Sequence, residues 1–421
     1  MQREVAVTGL GWVTSIGCDG ASVLHSLRHS RSGIRPVDWF PGAEDNPVKV
    51  AGTVPEFDVS SHAWPLWKYP GQYTLRRDAL RSLPPHGIYA LCATLQALED
   101  AGLAESEISS PRTGLFCASA GSPMLMRRHL SQIDASSGAR GHPLGVVSSI
   151  SGTLNFNLGA YFKIKGANMG VVSACASSSH AVAYAMEEIR SGRQERMIVV
   201  GAEEVNAETL VPFAAMRALS PSAGPDASCP FDRRRDGFVG TGGAVTLILE
   251  STALAHSRSA RLRALARGWG QASDGHNIAI SREDGDGLAR AMENALADAA
   301  LAPRDIAYIN AHATSTPVGD LSETRALARV FADHPDVPVS STKALTGHAL
   351  SMAGALEAAV TCLCLEDSFI PPQAHLREPD PGCAKLHLPT APLALGGEYA
   401  LSNSSGFGGS NVTLVFRRAD A

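Results

Sequence analysis

The segment Gly170-Val171-Val172-Ser173-Ala174-Cys175-Ala176-Ser177-Ser178-Ser179-His180 leads from a short strand-like run, through small residues, into a helical pattern. A strand, a tight turn and a helix in that order put Cys175 at a helix N-terminus, with the helix expected over 175–190. There the helix dipole and free amide N–H groups are expected to lower a thiol's pKa and to hold a nearby oxyanion. Small neighbours leave room for a thioester to approach. Taken alone, the segment suits a buried structural cysteine as well as a nucleophile.

The same alternation of short apolar runs and helical patterns extends in both directions. Strands are expected near 5–8, 114–119, 197–201, 244–250, 262–268, 306–310, 399–402 and 411–416, and further helices near 21–28, 88–101, 287–300, 320–331 and 349–365. Over 287–300 the residues Leu288, Ala291, Met292, Ala295, Leu296 and Ala299 form one apolar face. This pattern predicts an α/β layered fold with a largely covered sheet. Two blocks of strands and helices meet at Ser251-Thr252-Ala253-Leu254, dividing the chain into 1–255 and 256–421. Residues 36–70, with six prolines and Trp39, Trp64 and Trp67, and residues 219–235 break the pattern as ordered surface excursions.

Composition bounds the function. The 421 residues are 44% hydrophobic and 18% charged, enough for a sizeable core. A net charge of -5 without a basic block argues against a nucleic-acid or anionic-membrane binder. The eight cysteines show no CxxC spacing, so neither a metal site nor a thioredoxin-like site is expected. The opening Met1-Gln2-Arg3-Glu4-Val5 enters a strand pattern without a secretory leader, and no apolar run reaches membrane-spanning length. A cytoplasmic, reducing-compartment protein is expected. The Gly9-Leu10-Gly11 turn lacks the third glycine at dinucleotide-loop spacing. Arg233, Arg234 and Arg235 are expected to be ion-paired with neighbours such as Asp232 and Asp236. His180 reads as a packing residue.

Two histidines change the balance at Cys175. His312 stands in Tyr308-Ile309-Asn310-Ala311-His312-Ala313-Thr314-Ser315, where a strand ends in a small-residue loop. His348 stands in Ser340-Ser341-Thr342-Lys343-Ala344-Leu345-Thr346-Gly347-His348, again a loop feeding a helix. A fourth loop, 401–411, is rich in glycine and can bring backbone N–H groups close to a ligand. Cysteine with two histidines and no metal signature points to thiolate nucleophilic catalysis. One histidine would suffice for a thioester hydrolase, whereas two imidazoles donating to one oxygen suit an enolate formed by decarboxylation.

These residues resemble the elongating β-ketoacyl-acyl-carrier-protein synthases of the thiolase superfamily. The resemblance rests on VAVTGLGWVTSIG at the start, VSACASSSHA around Cys175, PFDRRRDGFV at 230–239, NAHATSTPVGD around His312, STKALTGHALSMAGALEA around His348 and SNSSGFGGSNVTLVF near the end. It implies a duplicated five-layer αβαβα thiolase fold. It also implies Cys175 as acyl acceptor, His312 and His348 as donors to the malonyl thioester carbonyl, and an oxyanion hole from the N–H groups of Cys175 and Phe407. Lys343 and Glu323 match the family's ion pair, Glu357 a supporting glutamate, and Phe407 a gating residue beside Ser405, Gly406 and Gly408. No cofactor is implied. The implied partners are acyl carrier protein, docked on basic residues such as Arg77, Arg81, Arg127 and Arg128, and a second copy or a paralogue in a dimer. Three features depart from the family: Ser405 replaces a usual Phe, Ala313 a usual Gly, and 36–85 is longer than usual. They leave open a type II polyketide or aryl-polyene ketosynthase, paired with a chain-length factor, as the alternative to fatty acid synthesis.

Overall fold

In the computed structural model of the chain, which describes residues 3–43 and 45–419, ten strands form one sheet. Met1, Gln2 and Glu44 lie outside the described residues, as do Asp420 and Ala421. The strands are β1 (Val5–Val13), β2 (Thr113–Ala118), β3 (Asn168–Val171), β4 (Arg196–Glu203), β5 (Gly243–Ser251), β6 (Ala264–Ser273), β7 (Ile306–Asn310), β8 (Val339–Ser340), β9 (Tyr399–Gly406) and β10 (Ser410–Arg418). The helices that position the site are α1 (Pro85–Asp100), α2 (Pro123–Ala135), α3 (Leu154–Tyr161), α4 (Ser177–Arg190), α5 (Ala207–Ala215), α6 (Asp286–Ala299), α7 (Pro317–Val330) and α8 (Ala353–Glu366).

Strand order exposes a duplication. The sheet runs β8-β7-β9-β10-β6-β1-β5-β4-β2-β3. Read outward from the centre, one half is 1-5-4-2-3 and the other 6-10-9-7-8, the same order displaced by five. Pairing directions agree too: β1–β5 and β6–β10 are antiparallel, as are β5–β4 and β10–β9. Then β4–β2 and β9–β7, and β2–β3 and β7–β8, are parallel. The halves meet along a seam of three residue pairs, Val5 to Val7 against Ala264 to Ala266.

Three buried clusters define the layers. One packs α1 and α3 onto β1, β2, β4 and β5. A second fills the middle, where α4 and α8 lie between the two halves of the sheet. The third packs α6 and α7 onto β7, β9 and β10. The succession is helix, sheet, helix, sheet, helix, which buries both faces of the central strands, although β6 emerges toward solvent at its end. That is why β5 and β4 read as unbroken apolar runs instead of alternating ones.

Several boundaries differ from the sequence reading. Helix α4 starts at Ser177, with Ala176 as its N-cap, so Cys175 lies two residues before the first helical residue. The 401–411 stretch is mostly strand: β9 continues to Gly406 and β10 resumes at Ser410, leaving three residues at the turn. Gly408 and Gly409 supply that turn with φ of 81° and 73°, a region open to glycine at little cost. Helices α2, α3 and α5 escaped the periodicity reading. Pro123 opens α2 and Pro212 lies inside α5, and proline in the sequence weighs against a helix.

Candidate active site

Cys175 and His348 occupy equivalent places in the two halves: each follows the third strand of its half (β3 or β8) and precedes its central helix (α4 or α8). His312 follows β7. All three therefore sit beyond carboxyl ends of parallel strands, where open α/β sheets leave crevices. The structure brings them together around a cavity of about 200 Å³, which Ser405, Gly406 and Phe407 also line. His348 Nε2 lies 3.0 Å from Cys175 Sγ. The rings of His312 and His348 stand edge to face, with centroids 5.4 Å apart.

The turn carrying Cys175 is a sharp elbow. Ala174 has φ of +50°, a conformation sparsely adopted by residues other than glycine. Ser177 stabilises it twice, accepting the Ser173 N–H at 2.8 Å and donating to the Ala174 carbonyl at 2.5 Å. The glycine-rich turn closes in from the other half. A Cβ on Gly406 would fall 2.8 Å from the Ser173 carbonyl and 3.2 Å from the amide nitrogens of Cys175 and Ala176, so only glycine permits this approach.

The electrostatics correct one expectation. Burial pushes the Cys175 thiol up to about 12, against the opposing pull of the Lys343 ammonium. Desolvation outweighs the helix start because α4 begins beyond the cysteine and protein surrounds the sulfur on every side but the cavity. The resting group is therefore a thiol. Burial, reinforced by Lys343, holds His312 and His348 well below the usual imidazole range, and the repulsion between the two rings lowers His312 further. Both are neutral.

The Lys343 partner is a second correction. Lys343 is ion-paired with Glu357, and both side chains are fully buried. Glu323 instead accepts the backbone N–H groups of His312 (3.0 Å) and Ala313 (2.6 Å) and the Asn403 amide (3.1 Å). It thus shapes the His312 loop directly, while Glu357, from α8, neutralises the lysine. Removing one member of a buried pair leaves the other uncompensated. Lys343→Ala is expected to lower stability by about 3–5 kcal/mol in denaturant unfolding, and the double variant Lys343→Met/Glu357→Leu to recover most of the loss.

Other residues fall elsewhere. Phe407 is partly exposed, with its ring 6.2 Å from Phe213. Ser405 donates to Asn411 at 2.7 Å, and Asn411 in turn donates to Asp274. Gly408 lines a neighbouring cavity. Phe213, Phe238 and Ile280 complete the walls around Cys175. The sequence reading did not single them out, although Phe238 lies within the quoted 230–239 motif. Arg81 and Arg128 come together at a small cavity beside α2, with Arg127 on the same helix ion-paired to Glu208 at 2.9 Å. Arg77 follows Arg76 on the same excursion, and none of the four lines the Cys175 cavity. Arg233, Arg234 and Arg235 are ion-paired: Arg234 locally, to Asp232 as expected and to Asp226, and Arg233 and Arg235 over long range, to Glu378 and Asp380. Asp236 bonds Ser222 instead. No cluster able to hold a metal ion occurs among the described residues.

A duplicated αβαβα fold with a cysteine and a histidine at equivalent strand ends, and a second histidine beyond the neighbouring strand, defines a thiolase-type condensing enzyme. Comparison with known proteins gives the family. Residues 2–255 match the N-terminal domain of β-ketoacyl synthases and 263–377 the C-terminal domain, and the chain belongs to that family. It is 36% identical to 3-oxoacyl-[acyl-carrier-protein] synthase 1 of Haemophilus influenzae over 427 residues, covering 99% of each chain. Among solved structures, a β-ketoacyl synthase from Burkholderia phymatum superposes with a TM-score of 0.90 at 34% identity, each chain covered in full. A type II polyketide ketosynthase solved in complex with its acyl-carrier protein (AntDE:AntF) gives 0.87 at 28%, also over the whole of both chains.

Proposed function

We propose that the chain joins an acyl group to the two-carbon unit of malonyl carrier protein, yielding a 3-oxoacyl carrier protein. The observation that carries this reading is the meeting of Cys175, His312 and His348 in one cavity, with a neutral His348 beside the sulfur and a neutral His312 edge to face with it. The Cys175 sulfur attacks the acyl thioester, the carrier leaves as its thiol with the cysteine's proton, and the acyl group stays on sulfur. Malonyl carrier protein then enters. Its C–CO2 bond breaks, CO2 departs, and the electron pair forms an enolate whose oxygen accepts N–H hydrogen bonds from His312 and His348. The enolate carbon attacks the Cys175 thioester, the tetrahedral oxyanion rests on the N–H groups of Cys175 and Phe407, and collapse expels the sulfur as a thiolate, which takes a proton from solvent to restore the thiol. Neutral imidazoles suit the enolate step, since each keeps one N–H to donate without titrating.

Fatty acid synthesis is the favoured setting, because identity to the 3-oxoacyl-[acyl-carrier-protein] synthase exceeds that to the polyketide ketosynthase. Arg77, Arg81 and Arg128 make no ion pair among the described residues and so remain available to an acidic carrier protein. The halves 1–255 and 256–421 would each supply part of the site. A cytoplasmic location accords with eight free cysteines. The test is mass spectrometry after mixing with acyl carrier protein, followed by malonyl carrier protein. An acyl adduct that converts to 3-oxoacyl carrier protein is the expected result. Release of free fatty acid without malonyl carrier protein would favour a thioester hydrolase.

A dimer fits one edge of the sheet. Strand β3 is the outermost strand on its side, and Met169, Val172, Val146 and Phe156 are exposed. An unpaired edge beside exposed apolar side chains calls for a covering surface. Elsewhere, α2 and α5 flank an open, mainly apolar cavity of about 1190 Å³, able to take an acyl chain. Val172→Glu combined with Met169→Glu is expected to halve the mass seen by light scattering while retaining the far-ultraviolet spectrum.

A further inference from the structure

His180, a packing residue by its sequence pattern, is hydrogen-bonded at both ring nitrogens. Nδ1 lies 2.8 Å from Ser173 Oγ, with the Ala176 carbonyl at 3.2 Å, and Nε2 lies 2.9 Å from Gln271 Oε1. Burial holds the imidazole below its ordinary range, so the ring is neutral and carries one N–H. Nε2 pairs with Gln271 Oε1, and Nδ1 with the Ser173 hydroxyl, which can donate or accept as the tautomer requires.

Those two partners belong to different parts of the site. Ser173 sits immediately before Ala174, whose left-handed conformation makes the elbow that presents Cys175. Gln271 lies on β6 in the other half of the molecule, three residues before Asp274, where the segment containing Ala279, Ile280 and Ser281 of the Cys175 cavity begins. His180 itself does not line that cavity. It faces a separate one of about 270 Å³ with Gln271, Gly408 and Asn411. An elbow with a sparsely populated φ persists only where its surroundings over-determine it. Ser177 and the backbone N–H groups of Ala176 and Ser177 restrain it from within the turn, and His180 adds a restraint anchored in the other half.

We propose that His180 is a positioning residue for the nucleophile: through Ser173 it fixes the elbow that aims Cys175, and through Gln271 it keeps that elbow in register with the opposite half. The inference rests on Cys175 being the acyl acceptor. Two half-reactions separate it from a general packing role. Acylation needs the sulfur correctly aimed. Decarboxylation of malonyl carrier protein depends on His312 and His348, which His180 does not touch.

The variants are His180→Leu, which removes both bonds, His180→Asn, which keeps an acceptor near the Nδ1 position, and Ser173→Ala, which removes the other end. Acylation is followed by quenched-flow mass spectrometry of Cys175, and decarboxylation by CO2 release. His180→Leu and Ser173→Ala are each expected to slow acylation about tenfold, since both remove the Ser173–His180 hydrogen bond that holds the elbow. His180→Asn is expected to restore most of that rate, and the double variant Ser173→Ala/His180→Leu to be no slower than either single one. Decarboxylation stays within about twofold. Equal losses in both half-reactions, or unchanged acylation in the folded variants, would overturn the proposal. If His180→Leu does not fold, Ser173→Ala and His180→Asn decide it. Should the wild-type protein itself show no adduct on Cys175, the nucleophile reading fails first, a result distinct from any of these.

Discussion

Cys175→Ala is expected to reduce condensation at least about ten-thousandfold, the scale on which loss of a covalent nucleophile acts. The sulfur lies beside His348 in the cavity, and among the described residues no other cysteine lines it. Acyl carrier protein should leave no mass adduct on the variant, while an adduct that persists would remove Cys175 from its assigned role. Overall stability should change little, because the side chain opens onto the cavity and removing it leaves no closed void. Decarboxylation of malonyl carrier protein should survive, since the imidazoles proposed to hold the enolate oxygen remain. The separation of the two activities in one variant is the strongest evidence the protein can offer for a division of labour between sulfur and imidazoles.

The second large effect belongs to those imidazoles. His312→Ala and His348→Ala are each expected to slow CO2 release about 100- to 1000-fold, the cost of removing one preorganised donor to an oxyanion. The two variants should differ in the other half-reaction. His348 Nε2 lies 3.0 Å from the sulfur, so its loss should also slow acylation, whereas His312→Ala should still accept an acyl group. The wild-type decarboxylation rate should be flat from about pH 6.5 to 8. Both imidazoles are held below the ordinary range, so they are neutral throughout that window and gain a proton only at more acid pH. A rate that fell by half near pH 6.5 in the wild type and equally in Glu357→Gln, which removes the carboxyl that burial raises to about 7, would show an imidazole titrating normally and contradict the buried, Lys343-facing environment.

Much of the site was legible because its residues lie in short segments with strong local grammar. Small residues around Cys175, and loops ending in His312 and His348 before helices, mark strand-to-helix turns without reference to the rest of the chain. The Gly406 approach was legible in the same way, since a glycine-rich turn signals close backbone contact. What escaped depended on distance through space. Lys343 was matched with Glu323, twenty residues upstream, but pairs with Glu357 because α8 packs into the central layer and points that carboxylate at the ammonium. Glu323 meanwhile lies where two backbone N–H groups of the His312 loop need an acceptor. His180 looked inert because its partner Gln271 is ninety-one residues away, on a strand of the other half.

The sequence by itself determined the layered α/β class, the covered sheet, the elbow cysteine and the pair of loop histidines. Each is written in periodicity, residue size or turn chemistry over a dozen residues. Only the tertiary structure decided the repeated strand order of the two halves, the partner of Lys343, the raised pKa of the thiol and the role open to His180. These follow from desolvation and long-range contact. Both are set by which elements are packed together, and neither leaves a trace in local spacing.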